Sequence, residues 1–282
     1  MTFLPTQRRA STNQIPDVER VPWSQLGPEF IKIWGRPRGK IQPEHLEILG
    51  PTGSGKGFFL TQIMAERVRR RKSHIVYLVN KPDDSTAKEM EWPTSDNWED
   101  IKKYPQMVFW PRTNATGRAR DQYQAEKFRE LLDNLWKPNA NIVVVFDEFN
   151  SLELLDPDLK RVLGMYLKEG RSQGITCVMG KQRPPGAQRN MHSESDWKIA
   201  FKMNDSDDNE RLAQLFGKKQ AWIPVIESLD REKFEFLIQH KLTGATYISW
   251  IDDPVDTKIQ DPKEDYNQRS MVSPRNTPHS GV

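Results

Sequence analysis

The sequence predicts an α/β fold in which a mainly parallel central sheet is flanked by helices. Three observations predict it. Short apolar runs alternate with stretches of helical periodicity from HLEIL to GATYISWID, the pattern of parallel strands joined by right-handed crossovers. The run NIVVVF is apolar almost throughout, as in a strand buried on both faces. A glycine-rich turn, GPTGSGKG, separates the first run from the first helical stretch.

Taken in order, HLEIL is a strand that feeds the glycine turn, and FFLTQIMAERVRRRK is a helix. HIVYLVN and MVFW are strands, RDQYQAEKFRELLDNLW a long amphipathic helix, and NIVVVFDEF the buried strand. The helix DPDLKRVLGMYLKEG, the strands ITCVMG and WKIAFKM, the helix DNERLAQLFG and the strand GATYISWID follow. Residues 41–253 are therefore expected to form one domain. Residues 1–40 read as a basic arm in which Pro5, Pro16, Pro22, Pro28 and Pro37 break any long element. Trp23, Phe30 and Trp34 are its candidates for docking part of the arm on a core or on a neighbour. Residues 254–282 are polar, contain Pro262, Pro274 and Pro278, and read as a flexible tail.

Composition sets limits on function. The 282 residues carry 42 Lys and Arg against 39 Asp and Glu, a net charge of +3, which points only weakly to a polyanionic partner. The single cysteine, Cys177, excludes an internal disulfide framework, and its apolar flanks make it a core residue. The five histidines have no zinc-like spacing. No apolar run approaches the roughly 20 residues that span a bilayer, so the expectation is a cytoplasmic protein without a membrane segment of its own.

The turn fills the pattern G-x-x-x-x-G-K with Gly50, Pro51, Thr52, Gly53, Ser54, Gly55 and Lys56. Main-chain N–H groups of such a turn, aimed from a helix N-terminus, form an anion nest, and the lysine reaches the β- and γ-phosphates. Residues 50–58, through Gly57 and Phe58, are accordingly the candidate ATP-binding segment. The next position ordinarily carries a hydroxyl that binds Mg²⁺; here it is Gly57, so a water is expected to take that coordination position. Nucleoside-monophosphate kinases also carry G-K-G at this point, but usually follow it with Thr rather than Phe58.

IVVVFDEF is a Walker B strand that ends in Asp147 and Glu148. Strand carboxyl ends face the ligand crevice in open α/β sheets. Asp147 is the candidate Mg²⁺ ligand, and Glu148 the candidate base that orients and deprotonates an attacking water. Such an adjacent pair favours hydrolysis over phosphate transfer to a nucleotide. Gln182, at the tip of ITCVMGKQ, stands beside both motifs; as γ-phosphate sensor or ordinary loop residue, its spacing alone decides nothing.

The ordered set HLEILGPTGSGKG, VVVFDE and GRSQGITCVMGKQRP, with the sequel FKMNDSDDNERLAQLFG, resembles the FtsK/HerA superfamily of P-loop ATPases over roughly residues 40–220. The resemblance implies a RecA-like (ASCE) fold, ATP and Mg²⁺ as cofactors, and a homo-oligomeric ring, for instance a hexamer. It also implies double-stranded DNA moved without sequence preference, and Gln182 as the sensor glutamine. The departures are Gly57 and the segment VNKPDDS, where many relatives carry an acidic residue before the lysine; they bear on the metal site. Rings supply an arginine in trans to the γ-phosphate. Arg171 is the candidate, with Arg112 and Arg118 behind it. Its alternative is a cation favourably placed at a helix C-terminus.

Two basic segments are candidates for phosphate contact. Arg67, Arg69, Arg70, Arg71 and Lys72 read as a solvated helix end, while Lys181, Arg183 and Arg189 in KQRPPGAQRN are better placed for DNA. The leading reading is a DNA-translocating ATPase of the viral genome-packaging kind, acting in a host cytoplasm or associated with a virion. The alternatives are an assembly protein that binds ATP with hydrolysis crippled by Gly57, and a monophosphate-kinase-like phosphotransferase.

Overall fold

The computed structural model describes residues 14–34, 43–71, 73–184 and 193–256. Ten strands form one sheet: β1 (Glu19–Arg20), β2 (Leu46–Leu49), β3 (His74–Leu78), β4 (Thr94–Ser95), β5 (Gln106–Phe109), β6 (Ile142–Phe146), β7 (Ile175–Lys181), β8 (Trp197–Phe201), β9 (Phe236–His240) and β10 (Thr246–Ser249). Their spatial order is β1-β10-β9-β8-β2-β7-β6-β3-β5-β4. All neighbours run parallel except β8 with β9 and β9 with β10, which are antiparallel. The fold is thus the mainly parallel α/β sheet expected.

The helices are α1 (Trp23–Trp34), α2 (Lys56–Arg71), α3 (Ser85–Glu89), α4 (Gly117–Leu135), α5 (Phe149–Glu153), α6 (Pro157–Glu169), α7 (Ser206–Phe216) and α8 (Lys219–Glu227). Strand alternation divides the interior between two faces. Val143 and Val145 of β6 join Ile75 and Tyr77 of β3 in the core beneath α1 and α2. Val144 and Phe146 join Val76 and Leu78 in the core beneath α4 and α6. A polar residue at any of these positions would face one dry core or the other, which is why NIVVVF lacks the period of two.

Within the expected arm, residues 19–34 pack on the sheet, with Trp23, Phe30 and Trp34 buried. β1 pairs with β10, and α1 also buries Ile31. Pro28 lies inside α1 rather than ending it. The carbonyl that it leaves without a helical donor belongs to Ser24, an exposed residue that water can serve, while Trp23 meets Phe30 at 5.5 Å and Phe59 at 5.1 Å between ring centroids. At the other end, Val255 N–H donates to Gln62 of α2 at 2.6 Å; the remainder of the expected tail, from residue 257, lies outside the described residues, as do residues 1–13.

The basic end of α2 is also not a uniform solvated face. Arg69 and Arg70 are exposed, but Arg67 is 2% exposed. Its guanidinium lies 4.2 Å from the Trp34 ring centroid and donates to the Thr176 hydroxyl at 3.0 Å. A planar cation that stacks while it hydrogen-bonds can be buried where an ammonium could not. Lys72 lies outside the described residues. Among them, no helix is long and apolar enough to cross a membrane.

Candidate active site at the carboxyl end of the sheet

β7 is inserted between β2 and β6. Consequently the carboxyl ends of four adjacent parallel strands, β2, β7, β6 and β3, present the glycine turn, Gln182, Asp147–Glu148 and Lys81 along one crevice. The turn leaves β2 with Gly53 and Gly55 at φ of 79° and 88°, left-handed conformations that glycine adopts without strain. A Cβ at Gly50 would lie 2.6 Å from the Ser54 hydroxyl, so the turn closes tightly on itself. Residues 51–53 and 55–58 line a cleft of about 300 Å³ together with Lys81, Asp84, Thr86, Asp147 and Gln182. Phe58 is half exposed at its rim.

Lys56 is the first residue of α2, and its ammonium pairs with the Asp147 carboxylate at 3.1 Å, both side chains being 10% exposed. Glu148 is held from three sides. Its Oε1 accepts from Gln182 Nε2 at 2.5 Å and from Lys81 Nζ at 2.7 Å, and its Oε2 from Ser151 Oγ at 3.2 Å. Sequence-distant residues thus converge on one carboxylate beside the Lys56–Asp147 pair.

Lys81, Asp84 and Thr86 have no site role in the sequence reading. VNKPDDS follows β3, which pairs with β6, the strand that leads into Asp147 and Glu148, and only that strand order brings it to the cleft. Asp84 caps α3, its Oδ1 accepting from Ala87 N–H at 2.8 Å, and its other oxygen lies 3.8 Å from Lys81. Burial raises the Asp84 carboxyl above its ordinary range, and the charges of Asp147 and Glu148 add to this. Burial alone would lower the Lys81 ammonium, but its bond to Glu148 and the charges of Glu148, Asp147 and Asp84 hold it above the usual lysine range. Three carboxylates thus face two lysines. The Tyr77 phenol beneath them is pushed well up, first by burial and then by Asp147 and Asp84, and stays neutral.

The donors present are carboxylate and hydroxyl oxygens, which suit a hard cation such as Mg²⁺. Among the described residues no three His, Cys, Asp or Glu side chains could hold a metal by themselves; a metal beside Asp147 would share phosphate oxygens, as Mg²⁺ commonly does. The residues fit the ion.

Other expectations meet a different geometry. Arg171 lies in the turn before β7, at the opposite end of that strand from Lys181, a span of about 20 Å. It donates to both oxygens of Asp196 at 3.0 and 3.2 Å and to Glu194 at 3.4 Å. Arg112, by contrast, stands beyond the carboxyl end of β5, exposed, with its guanidinium 3.9 Å from the Trp110 ring centroid. Arg118 is exposed in the first turn of α4. Lys181 is not available to DNA: its side chain is 1% exposed and lies 3.3 Å from the buried Glu47 carboxylate. Inside the sheet an ammonium requires such a counter-charge. Arg183 is 84% exposed near Asp208, and Arg189 lies outside the described residues.

No family model matches the chain. Its sequence is 28% identical over 115 residues to the type VII secretion system protein EssC of Staphylococcus aureus, which is 39% of this chain and 8% of that protein. It is 25% identical over 141 residues to the ESX secretion system protein EccC of Geobacillus thermodenitrificans, 46% of this chain and 9% of the relative. The chain therefore spans a small fraction of the curated relatives' length. Among solved structures it is similar to the genome packaging NTPase B204 of Sulfolobus turreted icosahedral virus 2 in complex with AMPPCP. That likeness has a TM-score of 0.53 and 13% identity, over 75% of this chain and 98% of that one. It is likewise similar to the pCW3 conjugation coupling protein TcpA with ATPγS, with a TM-score of 0.51 and 18% identity, over 80% and 65%. The chain shares its fold with these proteins.

Proposed function

We propose that the chain hydrolyses ATP and couples turnover to the movement of double-stranded DNA through a ring of its own copies. The observation that carries this reading is the grip on Glu148. Gln182 and Lys81 aim one carboxylate beside the Lys56–Asp147 pair, where a hydrolytic base for a γ-phosphate has to stand. The main-chain N–H groups of residues 53–56 bind the phosphates, and Lys56 turns from Asp147 to the β- and γ-oxygens. Asp147 would hold the cation, whose charge would neutralise that on the phosphates. Glu148 orients water and takes its proton, and Gln182 fixes Glu148 against the γ-position.

A ring completes the site with an arginine from the adjacent copy. Arg112 and Arg118 lie toward the same end of the sheet as the nucleotide, whereas Arg171 is committed to two carboxylates at the other end. Arg112 is therefore the better candidate. Phosphate contacts of Arg183 would be independent of sequence and weakened by salt. The packaging and conjugation neighbours favour DNA as the polymer, and the secretion relatives make a polypeptide the competing cargo. Gly57 favours a second reading, in which ATP is bound without turnover to fix an assembly.

The test is steady-state ATP hydrolysis with and without double-stranded DNA, beside Glu148→Gln. Turnover that rises with DNA and is abolished in the variant supports the motor. Turnover indifferent to DNA shifts the cargo away from it. Tight ATP binding without turnover leaves the assembly reading.

A further inference from the structure

The missing hydroxyl has a structural counterpart. A Cβ built on Gly57 would lie 2.5 Å from Thr86 Oγ1 and 3.3 Å from Thr86 Cγ2. The space in which a serine or threonine at position 57 would begin is therefore taken by the hydroxyl end of another threonine. Thr86 is presented by α3, whose start is fixed by Asp84 capping Ala87 N–H at 2.8 Å and which is anchored by Ala87 and by Met90 just beyond its end, both buried in the core beneath α2. It is part-exposed and lines the same cleft as Lys56 and Asp147. Gly57 is thus not simply a deletion of the metal's protein hydroxyl. Glycine is the residue that lets α3 approach the first turn of α2 closely enough to deliver one.

We infer that Thr86 Oγ1 takes the place of the absent hydroxyl of the glycine turn and binds the nucleotide's divalent cation together with Asp147. The inference rests on the reading of the cleft as an ATP site, and it replaces the water expected from the sequence at that coordination position. It carries a consequence opposite to the motif's logic. Restoring the usual residue with Gly57→Ser should weaken the metal site, because the new side chain meets Thr86. Trimming Thr86 at the same time should recover it.

The experiment measures Mn²⁺ affinity of the preformed protein–ADP complex by electron paramagnetic resonance. ADP affinity in EDTA and the melting temperature are recorded in parallel. Thr86→Val, which keeps the shape and removes the oxygen, is expected to bind Mn²⁺ at least about tenfold more weakly, with metal-free ADP affinity within about twofold of the parent. Gly57→Ser should also lose Mn²⁺ affinity, and Gly57→Ser with Thr86→Ala should regain most of it. Thr86→Cys should favour Cd²⁺ over Mn²⁺ relative to the parent, since a thiolate is a softer ligand. If Thr86→Val and the parent bind Mn²⁺ alike while both bind ADP, the role of Thr86 is overturned and the nucleotide site stands. If the parent does not bind ADP at all, the ATP-site reading itself falls, and the inference with it.

Discussion

Gly180 gives the most direct test of how the sheet builds this site. It is the penultimate residue of β7, and a Cβ there would lie 2.4 Å from the Asp147 carbonyl oxygen and 2.9 Å from Asp147 Oδ1. Such contacts essentially never fall below 3.0 Å, so Gly180→Ala forces the two segments apart by at least about 0.6 Å. β7 cannot yield easily, because it is paired with β2 through Ile48 and Leu49 on one side and with β6 through Phe146 on the other. The displacement must therefore pass to Asp147. Overpacking of this kind costs about 1–3 kcal/mol, which for a domain of this size lowers the melting temperature by about 2–12 °C. A site group moved by about 1 Å can cost on the order of a hundredfold in rate; about tenfold is expected here. Denaturant unfolding and ATP turnover are measured beside Gly164→Ala, a mid-helix position in α6 with nothing within 4 Å of the added carbon. The control should be neutral or stabilising by up to about 1 kcal/mol. Stability of Gly180→Ala within about 0.5 kcal/mol of the parent, with unchanged turnover, would refute the packing argument.

Lys81→Met should lower turnover by about tenfold or more with little change in ADP affinity, because it removes the charge-assisted bond that aims Glu148; equal kcat in variant and parent would show that Gln182 suffices. Arg171→Ala should destabilise by about 1–3 kcal/mol through the bonds lost to Asp196 and Glu194, read by denaturant unfolding. DNA-stimulated turnover should stay within about twofold, and a loss of turnover in the folded variant would reinstate Arg171 in trans. His45 supplies a pH dependence. Buried, with Nδ1 accepting from Cys177 N–H and Nε2 facing the Leu167 carbonyl, its pKa is lowered from 6.5 to about 3, chiefly by burial and then by the Arg171 charge. A depressed folded pKa means that the unfolded chain binds the extra proton. The stability is complete above pH 6.5 and is lost as pH falls toward 3, about 2 kcal/mol by pH 5. His45→Gln should remove that increment from the difference between pH 7.5 and pH 5; an unchanged difference would place the acid sensitivity elsewhere.

What the sequence determined by itself was whatever depends on neighbours along the chain. The glycine turn is legible because left-handed conformations at Gly53 and Gly55 and a lysine at the helix start are local requirements. β6 is legible because a strand between two dry cores must be apolar throughout. What only the tertiary structure decided depends on which strands lie side by side. The insertion of β7 between β2 and β6 sends Gln182 toward Glu148 and shuts Lys181 inside the sheet, although the two residues are adjacent in sequence. The pairing of β6 with β3 brings Lys81 to Glu148 across 67 residues of chain, and α3 then lays Thr86 on Gly57. Pro28 read as a break because propensity is local, whereas the aromatic packing that holds α1 together is not. A glycine in the motif says only that a hydroxyl is missing from that position. Whether another segment supplies one is a matter of distance, and distance is set by the fold.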